Sequence, residues 1–165
     1  MSLNSEKLKI RPANWDDCQL LWQWANEAEV RNWFFSSEFI SWETHQEWFQ
    51  QKLQEPNYYI FIGLDRQNKP VGQARFAIED SNSAAISISI DSEKRGRGYG
   101  SLLLKKTINR IFTQTSVKII HAWVKTENTA SQKMFEKAGF INIEVQKIKE
   151  SLAWHYQKVK SDRGD

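Results

Sequence analysis

Residues 84–90 alternate, with isoleucine at 86, 88 and 90 and serine at 87 and 89, and a period of two predicts a strand. Leu104, Ile108, Ile111 and Phe112 recur at intervals that share one face of a helix. Between them, residues 92–100 carry glycine at 96, 98 and 100, interleaved with Arg95, Arg97 and Tyr99. Upstream, residues 7–12 read as a first strand. Asn14 is a suitable N-cap, with Asp16 and Asp17 in the first helical turn and Leu21, Ala25 and Ala28 continuing one helical face. Thr44-His45-Gln46-Glu47 fits a capping box ahead of an amphipathic helix with Trp48, Phe49 and Leu53, and Pro56 lies beyond its end.

Strands at 58–64 and 71–78 are joined by the polar turn 65–70, and a further strand is expected at 117–124. Asn128 caps a helix that places Ala130, Met134 and Ala138 on one face, with Gly139 at its C-terminal end. Residues 140–147 and 152–159 close the fold as strands, and the polar stretch 161–165 is expected to be a disordered tail. Strands and helices mix throughout, which predicts one α+β domain over residues 1–165.

Hydrophobic residues make up 40% of the chain and charged ones 26%, an ordinary soluble composition. The single cysteine, Cys18, permits no intrachain disulfide, and no stretch approaches 18 apolar residues. A cytoplasmic location and no membrane partner are expected. Eight Lys and Arg residues, and no Asp or Glu, fall between Lys94 and Thr126, whereas the whole chain carries only +3. The positive charge is therefore local. It suits a ligand with several phosphates better than a nucleic-acid track.

Glycines where a strand feeds a helix let backbone N–H groups approach an anion, and the helix N-terminus adds about half a positive charge. No Gly-Lys-Ser/Thr closes the loop, so the Walker pattern is absent. The dinucleotide fingerprint fails too, because the glycines run G-x-G-x-G and no acidic residue follows.

Arg95-Gly96-Arg97-Gly98-Tyr99-Gly100 resembles the Q/R-x-x-G-x-G/A loop of the GNAT superfamily of N-acetyltransferases. Asn128-Thr129-Ala130-Ser131 with Phe135-Glu136-Lys137-Ala138-Gly139-Phe140 resembles that family's N-x-x-S/A…E-K-x-G-F helix. The resemblance implies a mixed, mostly antiparallel sheet of about seven strands with about four helices. It also implies acetyl-CoA as cosubstrate and an amine acceptor. The CoA contacts it implies are Ile88, Ser89 and Ile90 for the pantetheine arm, residues 95–101 (Arg95, Gly96, Arg97, Gly98, Tyr99, Gly100 and Ser101) for the diphosphate, and Asn128 and Ser131.

Two departures stand out. Many members carry a tyrosine, as acid for the leaving thiolate, where this chain has Phe135, and the strand 84–90 lacks the glutamate that often relays a proton. His121, Asp91 and Tyr99 are the substitute catalytic candidates, against dull roles as core histidine, turn residue and packing residue. His45, His121 and His155 show no metal-ligand spacing with Cys18, so no metal is expected.

Six of the eight tryptophans lie between Trp15 and Trp48, which predicts aromatic packing of the N-terminal helices on the sheet. Trp33 and Trp42, with Arg75, are the acceptor-binding candidates. Trp24-Ala25-Asn26, residues 45–49, residues 71–76 and Asn128-Thr129-Ala130-Ser131 together make the chain similar to two branches. One acetylates the 4-amino group of UDP-linked amino sugars, and the other the N-terminal amine of ribosomal proteins. A CoA-binding module with little catalysis is the alternative from another class, and the oligomeric state is left open.

Overall fold

The structure, a computed structural model, describes residues 7–162. A seven-stranded sheet runs in the order β1-β2-β3-β4-β5-β7-β6. Its strands are β1 (Lys9–Pro12), β2 (Tyr58–Leu64), β3 (Pro70–Ile78), β4 (Ser83–Ile90), β5 (Ile119–Lys125), β6 (Ile141–Ile148) and β7 (Ser151–Val159). Every neighbouring pair is antiparallel except β4 and β5. That parallel pair is linked by α4 (Tyr99–Gln114), a crossover helix as parallel strands require.

The alternating pattern of β4 sorts its residues. Ile86 lies opposite Phe76 and Ile88 opposite Ala74, on the face that α4 covers with Leu104, Ile108, Ile111 and Phe112. The other face carries two further helices over β2, where Cys18, Leu21, Trp24 and Phe49 pack on Ile60 and Ile62. These belong to α1 (Cys18–Ala25) and α3 (Trp42–Gln54). The short α2 (Ala28–Trp33) lies between them in sequence, and α5 (Thr129–Lys137) precedes β6.

Among the described residues the expected helices, about four, number five because the first one breaks. The Asn26 side chain bonds both N–H and C=O of Ile40, and Glu27 turns to an extended ψ of 137°. Ala28 therefore starts α2 instead of continuing α1. The capping box expected at Thr44 is also displaced. Ser41 is the N-cap of α3 and its Oγ accepts from the Thr44 N–H at 3.2 Å. Of the expected tail, residues 161 and 162 form no strand or helix, and 163–165 lie outside the described residues.

At Asn14 the cap is reciprocal: its Oδ1 accepts from the Asp16 N–H and Asp17 Oδ2 accepts from the Asn14 N–H, both at 2.9 Å. Asp17 also takes two bonds from Arg11, at 2.7 and 2.8 Å, tying β1 to the start of α1. Burial alone would raise the Asp17 pKa; the Arg11 guanidinium and the Asn14 N–H prevail and hold it below the usual carboxylate range. Stability from this group is thus present above the unfolded carboxylate pKa and lost as pH falls through the lower folded value. Asp17→Asn is expected to lose about 1–3 kcal/mol at pH 7 in urea unfolding, since it breaks charge-assisted bonds, and the gap from wild type should narrow at pH 3.

Candidate active site

β4 and β5 are paired only where Ser83, Ala84 and Ala85 meet Ile119, Ile120 and His121. Past that point the strands separate, and the edge of β4 over residues 86–90 has no partner strand on the β5 side. A cleft of about 350 Å³ opens along that edge. Its walls are Ile88, Ser89 and Ile90 from β4, Gly98, Tyr99 and Gly100 at the start of α4, and Asn128, Ala130, Ser131 and Met134 around α5. Val30, Trp33 and Phe34 close it from the α2 side.

The loop before α4 turns through two left-handed glycines, Gly96 at φ 75° and Gly98 at φ 83°. Gly98 is the N-cap of α4 and supplies no side chain to the first-turn amides. Those N–H groups therefore remain for a ligand. A Cβ on Gly100 would come 2.9 Å from Met134 Sδ, so α4 and α5 meet closely at the cleft. Asn128 caps α5, its Oδ1 accepting from the Ser131 N–H at 3.2 Å.

The charged residues of the loop behave differently from one another. Arg95 turns away from the amides: its Nε donates to the Ile90 carbonyl at 3.1 Å, and its guanidinium pairs with Glu27 and Glu29. It fastens the loop to the start of α2. The Arg97 carbonyl accepts from Lys7 Nζ, and the Arg97 side chain lines a separate, open groove with Lys7, Arg66 and Lys94. Tyr99 borders both spaces, with the Lys7 ammonium 5.1 Å from its ring centroid. Free amides at an uncapped helix start, beside an unpaired strand edge, fit the diphosphate and the peptide-like arm of acetyl-CoA.

The face of the sheet opposite α4 holds the remaining candidates. His121 Nδ1 lies 2.8 Å from His155 Nε2, and His155 stacks on Trp123 with centroids 4.7 Å apart. His155 Nδ1 is buried without a hydrogen-bond partner, 3.7 Å from Glu144 Oε1. Burial lowers the His121 pKa, the neighbouring His155 lowers it further, and Glu79 and Asp80 pull in the other direction. The net direction is down, so His121 is neutral near pH 7. At this separation one ring nitrogen donates its N–H and the other accepts.

Asp91 is engaged elsewhere. Its Oδ2 accepts from Trp24 Nε1 at 3.0 Å and its Oδ1 from the Glu93 N–H at 2.9 Å, which joins α1 to the end of β4. Trp33 borders the cleft, but Trp42 packs on Trp22 and His45 within the α1–α3 cluster. Arg75 projects from β3 between the rings of Phe34 and Trp48.

Phe135 is buried against Phe140 and Tyr156. Tyr156 is the nearby hydroxyl, yet it donates to Glu136 at 2.9 Å, and burial and that carboxylate push its pKa up to about 12. Its proton is committed to Glu136 and it does not line the cleft, so it is not placed to serve a departing thiolate. Sequence reasoning missed His155, Phe34 and Trp48 as neighbours of the candidates. A pairing of 117–124 with 152–159 would have brought the two histidines together, but strand register is not written in either segment alone.

Among the described residues no three His, Cys, Asp or Glu side chains gather as a metal site, and no helix is long and apolar enough to cross a membrane.

A sheet split beside a glycine-started helix suits the binding of an acyl-CoA, as the sequence resemblance implies. The acetyltransferase (GNAT) domain model matches residues 7–141. The chain belongs to the GNAT acetyltransferase family. It is an acetyl-CoA-dependent N-acetyltransferase. It is 24% identical, over 96% of its length and 89% of the relative's, to an uncharacterized N-acetyltransferase p20 of Bacillus licheniformis.

Among solved structures, it resembles the spermidine N-acetyltransferase of Vibrio cholerae in complex with CoA and spermine. There the TM-score is 0.86 at 18% identity, covering 93% of this chain and 96% of that one. It also resembles the ribosomal L7/L12 α-N-protein acetyltransferase in complex with CoA, at TM-score 0.82 and 15% identity over 93% and 94% of the two chains.

Proposed function

We propose that the acceptor is a small-molecule primary amine, the 4-amino group of a UDP-linked amino sugar, and that it attacks the thioester directly. The observation that carries this is the two-sided cleft, with free amides and a strand edge on one side and the aromatic rings of Trp33 and Phe34 on the other. Flat rings suit a uracil or a pyranose face.

Acetyl-CoA supplies the acetyl group as an activated thioester. The amides of residues 99–101 bind its diphosphate, residues 88–90 align its pantetheine arm, and Asn128 and Ser131 border the same path. A β4 N–H polarises the carbonyl oxygen as charge develops on it. Among the three catalytic candidates we assign the base to His121. His121 does not line the cleft wall itself; in the tautomer this role needs, its Nδ1–H donates to His155 Nε2 and its Nε2 lone pair is left to take a proton from the amine. Asp91 and Tyr99 are assigned structural roles, and Arg95 positions the loop instead of touching phosphate.

CoA thiol release tests the reading, with a UDP-4-amino sugar, alanine- and serine-starting peptides, and spermidine as acceptors. The amino sugar is expected to react fastest. Faster release with a peptide would replace this reading with protein N-terminal acetylation.

A further inference from the structure

We propose that Arg75 and Arg31 form an anion-binding subsite on the acceptor side of the cleft, so that the acceptor is an amine carrying a diphosphate. Arg75 stands on β3 opposite Ser87 of β4, on the face away from α4. Its guanidinium lies 5.8 Å from the ring centroid of Phe34 and 5.1 Å from that of Trp48. Phe34 also borders the cleft, so this subsite is continuous with it. The Arg75 Nε is buried and has no hydrogen-bond partner.

Arg31 approaches from α2 and donates only to carbonyls, to Ala25 at 2.7 Å, Ser36 at 3.0 Å and Glu38 at 3.2 Å. Neither arginine joins an ion pair among the described residues. They are close enough that the charge of Arg75, after burial, helps to lower the pKa of Arg31. The acids at the start of α2, Glu27 and Glu29, are paired with Arg95, and Arg31 meets Glu38 at its carbonyl oxygen.

Folding gains nothing from two like charges brought together without a carboxylate between them. An anionic ligand removes the repulsion and fills the unmatched donors, and a guanidinium's planar fork matches phosphate oxygens. The aromatic rings hold Arg75 in place through cation–π contact while leaving its charge uncompensated. A polyamine would meet repulsion at this point. This deepens the amino-sugar reading and rests on its placement of the acceptor over this face.

The test is calorimetric titration of the CoA-saturated protein, in which the amides at the start of α4 are occupied. UDP and inorganic pyrophosphate are expected to bind, and uridine to bind at least about tenfold more weakly than UDP, as loss of charge-assisted bonds requires. Arg75→Gln should weaken UDP about 10- to 100-fold, and Arg75→Lys less, with CoA affinity unchanged.

UDP binding no tighter than uridine, or spermidine binding tighter than pyrophosphate, overturns the proposal. Should Arg75→Gln also lose CoA through misfolding, the wild-type comparison of UDP with uridine decides alone. UDP binding with no acetylation of a UDP-4-amino sugar would sink the proposed acceptor and leave the subsite standing. Acetylation of that sugar undiminished by Arg75→Gln would do the reverse.

Discussion

Gly98→Glu is expected to raise the dissociation constant for acetyl-CoA by about 100-fold or more while the domain stays folded. Two effects combine. At φ 83° an L residue at this position costs about 1–2 kcal/mol that glycine avoids. The added carboxylate would also stand at the N-terminus of α4, where the diphosphate is meant to sit on the positive end of the helix. Folding should survive, because the nearest atom to a Cβ there is the flexible Lys7 Nζ at 3.8 Å.

Gly98→Ala separates the two effects by adding strain without charge, and it should lose only about tenfold. A CoA titration with a parallel melting curve measures both. Native affinity in Gly98→Glu would remove the diphosphate from the helix start.

His121→Ala is expected to lower kcat by about 10²–10⁴-fold with acetyl-CoA affinity unchanged, the range for losing a general base. The base form is the neutral imidazole, and its pKa lies below the ordinary histidine value of 6.5. In wild type kcat/KM should therefore be level above about pH 6.5 and fall as pH drops through the lower value. His155→Leu removes one of the influences that lower the His121 pKa, so this acid limb should move to higher pH. A residue that only packs on Trp123 would reduce stability without moving the limb. An unmoved limb would end the assignment of the pair.

Much of the architecture was legible because each signal was local. The isoleucine–serine alternation of 84–90 and the one-sided helix ending at Phe112 need only their own residues, as does the glycine-rich loop between them. Asn128 likewise caps the helix that it was expected to cap. What was hidden depended on distant partners. Asn26 breaks a helix by bonding to Ile40, Ser41 displaces Thr44 as a cap, and Trp42 turns from the cleft to Trp22. The His121–His155 contact depends on β5–β7 register, and the setting of Arg75 depends on three elements meeting.

The three-residue seam between β4 and β5 has a mechanical meaning. Four strands on one side and three on the other form two plates, and among the described residues they are laced together by backbone bonds at one end, around Asn82–Ala85. An extended arm lying along the open edges would finish the lacing. Loading the donor would then also stiffen the frame that aims the acceptor, and releasing spent CoA would let the plates relax before the next cycle.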